Sequence, residues 1–164
     1  MVAFDGAVRS SKTVAQIMLW VQFVAQCIKR NASGQLAIIG RTETSAINNI
    51  VKPMQEMFGT RYVVLNRGVG TVTIFGREVL LFGANNAEAV TKIQGLTLVG
   101  ALLDEAANVP EAFFAMLRSR LSAAGARLFL TTNPEHPRHW LLGWLMRAQT
   151  WIKADGSVQA QQPG

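Results

Sequence analysis

Residues 4–13, Phe4-Asp5-Gly6-Ala7-Val8-Arg9-Ser10-Ser11-Lys12-Thr13, run from a short apolar segment through a loop to a Lys-Thr pair that opens an apolar helical stretch. A strand, a glycine-initiated loop and Lys-Ser/Thr at a helix mouth is the order of a phosphate-binding loop. Backbone N–H groups and the lysine cradle phosphate oxygens there, and the hydroxyl reaches Mg²⁺. The pattern G-x-x-x-x-G-K-[ST] is met at Gly6, Lys12 and Thr13, but Ser11 stands where the second glycine belongs. Taken alone, the segment is equally well explained as a strand-to-helix turn carrying an exposed lysine.

The rest of the chain sets the architecture. Val14, Ile17, Met18, Val21, Val24, Ala25 and Ile28 recur at helical spacing and predict a buried stripe on a helix over 12–29. Its N-terminus faces the loop, where the helix dipole and free N–H groups favour an anion. Leu36–Gly40 reads as a short buried strand, and Ser45–Phe58 as a helix interrupted by Pro53 and ended by Gly59. Thr71–Phe75 and Glu78–Phe82 read as a hairpin turning at Gly76-Arg77. A short helix follows from Asn85-Asn86 to Lys92, then the apolar run Leu98–Leu103 and a helix over Glu111–Leu121 with Pro110 at its first turn. Arg127–Leu130 is a last buried strand, and a helix is expected over His139–Thr150. Buried strands separated by helices predict an α/β fold with a mostly parallel central sheet flanked by helices, plus a β-hairpin insertion. Residues 1–153 read as one domain and the polar, Gln-rich 154–164 as a disordered tail. The first strand is short for a central position.

Two further strand ends carry chemistry. Leu98–Leu103 delivers Asp104-Glu105 at its carboxyl end, where ligands of open α/β sheets bind. Asp104 is placed to hold Mg²⁺, directly or through water, and Glu105 to polarise the water that attacks a γ-phosphate. The plainer reading is an acidic pair favoured by the dipole of a following helix. Thr131-Thr132-Asn133-Pro134 ends the strand over 127–130 and is suited to sensing a γ-phosphate, though an Asn-Pro turn is a common local device. Phosphate loop, intervening strand (Leu36–Gly40), acidic pair and polar strand end, in that order, are what one large branch of P-loop ATPases shows.

The sequence resembles the ATPase domain of phage terminase large subunits, the motors that package DNA into proheads. The resemblance covers residues 2–147 and is carried by Gly6–Thr13, Ile39-Gly40-Arg41-Thr42, Ile93-Gln94-Gly95-Leu96-Thr97, Leu102-Leu103-Asp104-Glu105-Ala106 and Thr131–Trp140. It implies a P-loop NTPase fold and binding of ATP with Mg²⁺ by Gly6, Ala7, Val8, Arg9, Ser10, Ser11, Lys12, Thr13, Thr131 and Asn133. Thr13 and Asp104 are the implied metal residues, Glu105 and Arg9 the catalytic ones, with Arg9 on the γ-phosphate. Thr131 to Asn133 become the motif that couples hydrolysis to DNA movement. The implied partners are double-stranded DNA, a portal, a small terminase subunit and further copies of the chain. Family members usually carry glycine at the position of Ser11 and begin well before the loop, whereas five residues precede Gly6. A motor domain standing alone or cut short is therefore expected, and a fragment that folds without ATP turnover, or another P-loop NTPase, are the alternatives.

Composition narrows the partners. A charge of +6 is compatible with an anionic ligand but equally with a solvated basic surface. The single Cys27 excludes an internal disulfide and reads as a small core residue. The apolar stretch Val14–Ile28 is too short to span a bilayer and is broken by Gln16, Gln22 and Gln26. A cytoplasmic protein without membrane contact is expected. The three aspartates, Asp5, Asp104 and Asp155, leave no carboxylate cluster for a two-metal nuclease once Asp104 is assigned, so DNA cleavage is not expected. His136 and His139 lack a zinc-like ligand set. Trp140, Trp144 and Trp151 are suited to stacking on bases or to packing the last helix. Arg118, Arg120 and Arg127 suit a phosphate track or a solvated face, and Arg41 a nucleotide contact or a loop cap.

Overall fold

The computed structural model describes residues 2–5, 12–132, 138–145, 150–152 and 158–160. They fall into two compact units, Met1–Asn133 and Pro134–Gly164.

The first unit opens with strand β1, Val2–Asp5, and helix α1, Lys12–Lys29. Helix α1 buries Ile17, Trp20, Val21, Phe23, Val24 and Cys27. This face is rotated from the stripe read in the sequence: Val14, Met18, Ala25 and Ile28 are exposed. The large rings decide the orientation, because Trp20 and Phe23 bury more apolar area than the smaller residues of the other row. Trp20 lies 6.1 Å from Phe23 and 5.8 Å from Phe129 between ring centroids, and Phe23 lies 5.4 Å from Phe129.

Strand β2, Gln35–Gly40, follows. The helix expected over 45–58 is three pieces: α2, Glu43–Ala46; a π-helical turn, Ile47–Val51; and α3, Lys52–Phe58. Thr42 starts α2 through a reciprocal cap with Ser45. Pro53 has no N–H for the Asn49 carbonyl four residues back, and its ring crowds that carbonyl. The wider π turn ahead of it relieves both problems.

Strands β3, Val63–Asn66, β4, Thr71–Ile74, and β5, Arg77–Gly83, form an antiparallel meander. The hairpin turns at Phe75-Gly76, one residue earlier than the sequence suggested, with φ of 48° and 82° as a primed turn requires. Pairing buried Val72 with Val79 fixes this register. The Phe75 ring, 6.0 Å from Phe58 and 5.7 Å from Tyr62, offsets its own backbone strain. Arg77 thereby becomes a strand residue whose Nη2 donates to the carbonyls of Ala32 and Gly34, at 3.1 and 2.7 Å.

Helix α4, Ala87–Gln94, is capped by Asn86. Strand β6, Leu98–Leu103, is buried throughout, and α5 spans Glu111–Arg120. Strand β7, Arg127–Thr132, carries Thr131 and Thr132 inside the strand rather than beyond it.

Seven described strands form one sheet in the order β1-β7-β6-β2-β5-β4-β3. From β1 through β5 in that order every neighbouring pair is parallel. The hairpin is thus continuous with the main sheet. Strand β1 lies at the edge among the described residues, a position in which a short strand is at home. Helix α1 approaches β6 closely: a Cβ on Gly100 would stand 2.5 Å from Phe23 Cε1.

The second unit contains α6, Trp140–Leu145, and an antiparallel pair, β8, Thr150–Ile152, with β9, Val158–Ala160. Helix α6 is described over 140–145 of the 139–150 expected, with Thr150 already in β8, and β9 falls within the stretch read as a tail. His139 Nδ1 accepts the Leu141 N–H at 3.2 Å at the start of α6.

Candidate functional site

Parallel strands bring their carboxyl ends to one edge of a sheet, and the strand order decides which ends are neighbours. Strand β7 sits between β1 and β6, with Asp5 in register with Thr132 and Leu103 with Leu130. Strand β1 therefore ends, at Asp5, beside Thr132, and Asp104 follows β6 beside Thr131. Helix α1 starts at the same edge and runs back along the sheet, Gln16 lying near Leu103 and Phe23 near Gly100 and Arg127. Gln16, one turn into the helix and fully buried, donates Nε2–H to the Leu103 carbonyl at 3.3 Å.

Asp104 is the best-held polar group here. It is only 5% exposed, and its N–H continues the ladder to the Ile39 carbonyl at 2.8 Å. The Thr131 hydroxyl donates to Oδ1 at 2.8 Å, and the Asn49 amide donates to Oδ2 at 2.9 Å. Both donors are neutral. Each carboxylate oxygen accepts one hydrogen bond from a neutral donor and has a further lone pair to offer, which suits a hard divalent cation.

Glu105 adopts the left-handed conformation, φ 50° and ψ 53°, without being glycine. Its N–H donates to Thr131 Oγ1 at 3.0 Å, so one hydroxyl ties together two consecutive acidic residues. Its exposed carboxylate accepts the Asn108 amide at 3.2 Å. Such backbone strain costs about 1–3 kcal/mol and persists where the surroundings over-determine it.

Of the residues read from the sequence, Asp104, Glu105 and Thr131 are brought into contact. Thr13 is half-buried in the first turn of α1. Gly6, Ala7, Val8, Arg9, Ser10, Ser11, Asn133 and His136, and the side chain of Lys12, lie outside the described residues. Arg41 is exposed beside the strand ends. Arg120 donates to the Gln94 carbonyl at 3.0 Å, and Arg127 stacks 5.6 Å from the Phe23 ring, so both are partly used in holding the fold. Cys27 is buried, as expected.

The sequence reading missed Asn49 and the structural use of Gln16. Gln16 was visible as a polar break in an apolar helix. The signal for Asn49 was Pro53 four residues later, because a proline inside a helix displaces the carbonyl and the register before it. Gly40 makes room for this arrangement: a Cβ there would lie 2.6 Å from Ser45 Oγ, so α2 abuts the end of β2. A separate cavity of about 610 Å³, between the 67–70 turn and α4, contains none of the residues above.

No protein-family model matches the sequence, and no curated protein matches it. Among solved structures, the large terminase of a thermophilic bacteriophage is similar with a TM-score of 0.76 and 29% identity, over 89% of this chain and 37% of that one. The same phage terminase in complex with ATP-γ-S and with ADP is similar with TM-scores of 0.68 and 0.70. The large terminase ATPase domain of Thermus phage P74-26 gives a TM-score of 0.62 at 19% identity, over 98% of this chain and 71% of that one. The N-terminal domain of the DNA packaging ATPase of bacteriophage phi29 gives 0.54 at 11%, over 96% and 88%. The last two likenesses concern the fold. The chain spans little more than a third of the thermophilic phage terminase, 37% of its length, and has the P-loop NTPase fold of terminase ATPase domains.

Proposed function

We propose that the chain binds ATP with Mg²⁺ across the carboxyl ends of β1, β7 and β6 and hydrolyses it, as the motor domain of a phage large terminase that drives double-stranded DNA into proheads. The observation that carries this is the strand order. With β7 between β1 and β6, the carboxyl end of β1 at Asp5, Thr131 and Asp104 share one sheet edge. The likeness to a terminase solved with ATP-γ-S and with ADP supports the same reading.

In this reading Gly6, Ala7, Val8, Ser10 and Ser11 offer backbone N–H groups to phosphate, and Lys12 adds a point charge. Arg9 neutralises charge on the equatorial oxygens of the transferring γ-phosphoryl group. Thr13 and Asp104 hold Mg²⁺, which when bound neutralises charge on the phosphate oxygens. Glu105 orients the attacking water. Thr131 and Asn133 register the loss of the γ-phosphate and pass it toward DNA. Contacts to DNA are to phosphates and weaken steeply with salt. The portal, a small terminase subunit and further copies of the chain are the remaining partners, in the host cytoplasm. No helix among the described residues is long and apolar enough to cross a membrane. This stretch is proposed not to cleave DNA, because with Asp104 assigned to Mg²⁺ the two other aspartates, Asp5 and Asp155, make no carboxylate cluster for a two-metal nuclease.

The test is Mg²⁺-dependent binding of a fluorescent ATP analogue by the parent chain and by Lys12→Ala. Binding by the parent that is lost in the variant is expected, and equal binding by both would overturn the proposal. A chain that folds without turnover is favoured by one feature, the Glu105 carboxylate bonded to Asn108. DNA-stimulated hydrolysis abolished by Glu105→Gln removes that alternative.

A further inference from the structure

Asn49 and Asp104 are 55 residues apart in sequence and 2.9 Å apart at their side chains. The contact joins the helical segment after β2 to the acidic end of β6. We propose that Asn49 is a positioning residue that fixes the plane of the Asp104 carboxylate for Mg²⁺, an inference that rests on the nucleotide site proposed above.

Four observations converge on it. First, Asn49 and Thr131 each take a different oxygen of Asp104, so the carboxylate is held at both ends and cannot rotate about its last bond. Each oxygen still has a lone pair for a cation or its bound water. Second, both donors are neutral. A lysine or arginine in the place of Asn49 would orient the carboxylate equally well but would cancel the charge a divalent cation needs. An amide orients without neutralising.

Third, Asn49 stands in the π-helical turn Ile47–Val51, closed by the Lys52 N–H on the Ile47 carbonyl. A π turn is rare in proteins and recurs at functional sites, where it redirects a side chain that a regular helix would aim elsewhere. Pro53 keeps the turn from reverting to α-helix, because it offers no N–H to Asn49. Fourth, the turn is anchored: Ile47, Ile50 and Val51 are buried in the core, whereas Asn48 is exposed. The backbone from which the Asn49 side chain reaches Asp104 is therefore set by packing in the core. That is the property a positioning residue requires.

The experiment compares the parent, Asn49→Leu, Asn49→Ala and the exposed control Asn48→Ala. For each, the Mg²⁺ concentration giving half-maximal binding of a fluorescent ATP analogue is measured, together with binding of the analogue in excess chelator. Thermal melting selects whichever Asn49 variant folds as the parent does. Expected is a rise of about ten-fold in the Mg²⁺ requirement, the usual scale for losing a hydrogen bond behind a metal ligand. Metal-free binding should be unchanged, and Asn48→Ala should match the parent throughout. An unchanged Mg²⁺ requirement in a folded Asn49 variant overturns the role of Asn49 alone. Equal losses with and without Mg²⁺ overturn it too, because they indicate general damage to the site. A parent with no Mg²⁺-dependent binding overturns the nucleotide site itself and this inference with it.

Discussion

The Thr131 hydroxyl donates to Asp104 Oδ1 at 2.8 Å while accepting the N–H of the next residue, Glu105, at 3.0 Å. A single oxygen on the neighbouring strand thus holds the acidic side chain and the strained backbone that follows it. Movement of β7 relative to β6 is transmitted to both.

Thr131→Val keeps the shape and removes the hydroxyl. It leaves the Glu105 N–H and one Asp104 oxygen without this partner, so a loss of about 1–3 kcal/mol of stability is expected in urea denaturation. ATP turnover should fall more than nucleotide affinity, because the altered group is the one that aligns Glu105. A variant with parental stability and turnover would show that the hydroxyl is dispensable.

Glu105→Gly removes a side chain from a left-handed backbone. The folded state should gain up to about 1 kcal/mol, since glycine adopts φ of 50° without the steric penalty. Hydrolysis should be abolished. A raised melting temperature with no turnover is the expected pair of results, and a variant less stable than the parent would show that the Asn108 contact outweighs the strain.

Gly100→Ala is expected to destabilise by about 1–3 kcal/mol, the usual range for overpacking. Its Cβ would meet Phe23 at 2.5 Å and Leu36 at 2.9 Å, between α1 and the sheet. Chemical denaturation measures this. Adding Phe23→Leu in the same chain should restore part of the loss, because it frees the space the methyl group needs.

Glu88 and Lys92 form an exposed pair one turn apart on α4, 2.9 Å between Oε1 and Nζ. The hydrogen bond from Lys92, then its charge, hold the Glu88 carboxyl below its ordinary value. The stability this contributes is present above the unfolded carboxyl pKa and is lost as pH falls through the folded one. Lys92→Met should return the Glu88 midpoint toward the ordinary value in a carboxyl NMR titration. Added salt should weaken the effect in the parent, because both groups face solvent.

Several elements were legible in the chain because their causes are local. Leu98–Leu103 has no polar residue and is short enough to suit a buried strand, which puts Asp104-Glu105 directly after it at the strand end. Asn86 before α4 and Gly59 after α3 mark helix limits by their own hydrogen-bonding and backbone preferences. The residue types of the phosphate loop, acidic pair and polar strand end were enough to point to an ATPase fold.

The tertiary structure decided what depends on partners distant in sequence. Which face of α1 turns inward was settled by Trp20 and Phe23 finding Phe129, more than a hundred positions away, and not by helical period alone. The hairpin turned at Phe75 because cross-strand burial of Val72 and Val79 set the register. Strand β7 entered between β1 and β6, an order invisible to local pattern because any apolar strand can pair with any other. Asn49 reached Asp104 only once a π turn and a sheet edge had been assembled separately. Sequence by itself determined which groups this protein has for chemistry; packing across the sheet determined which of them meet.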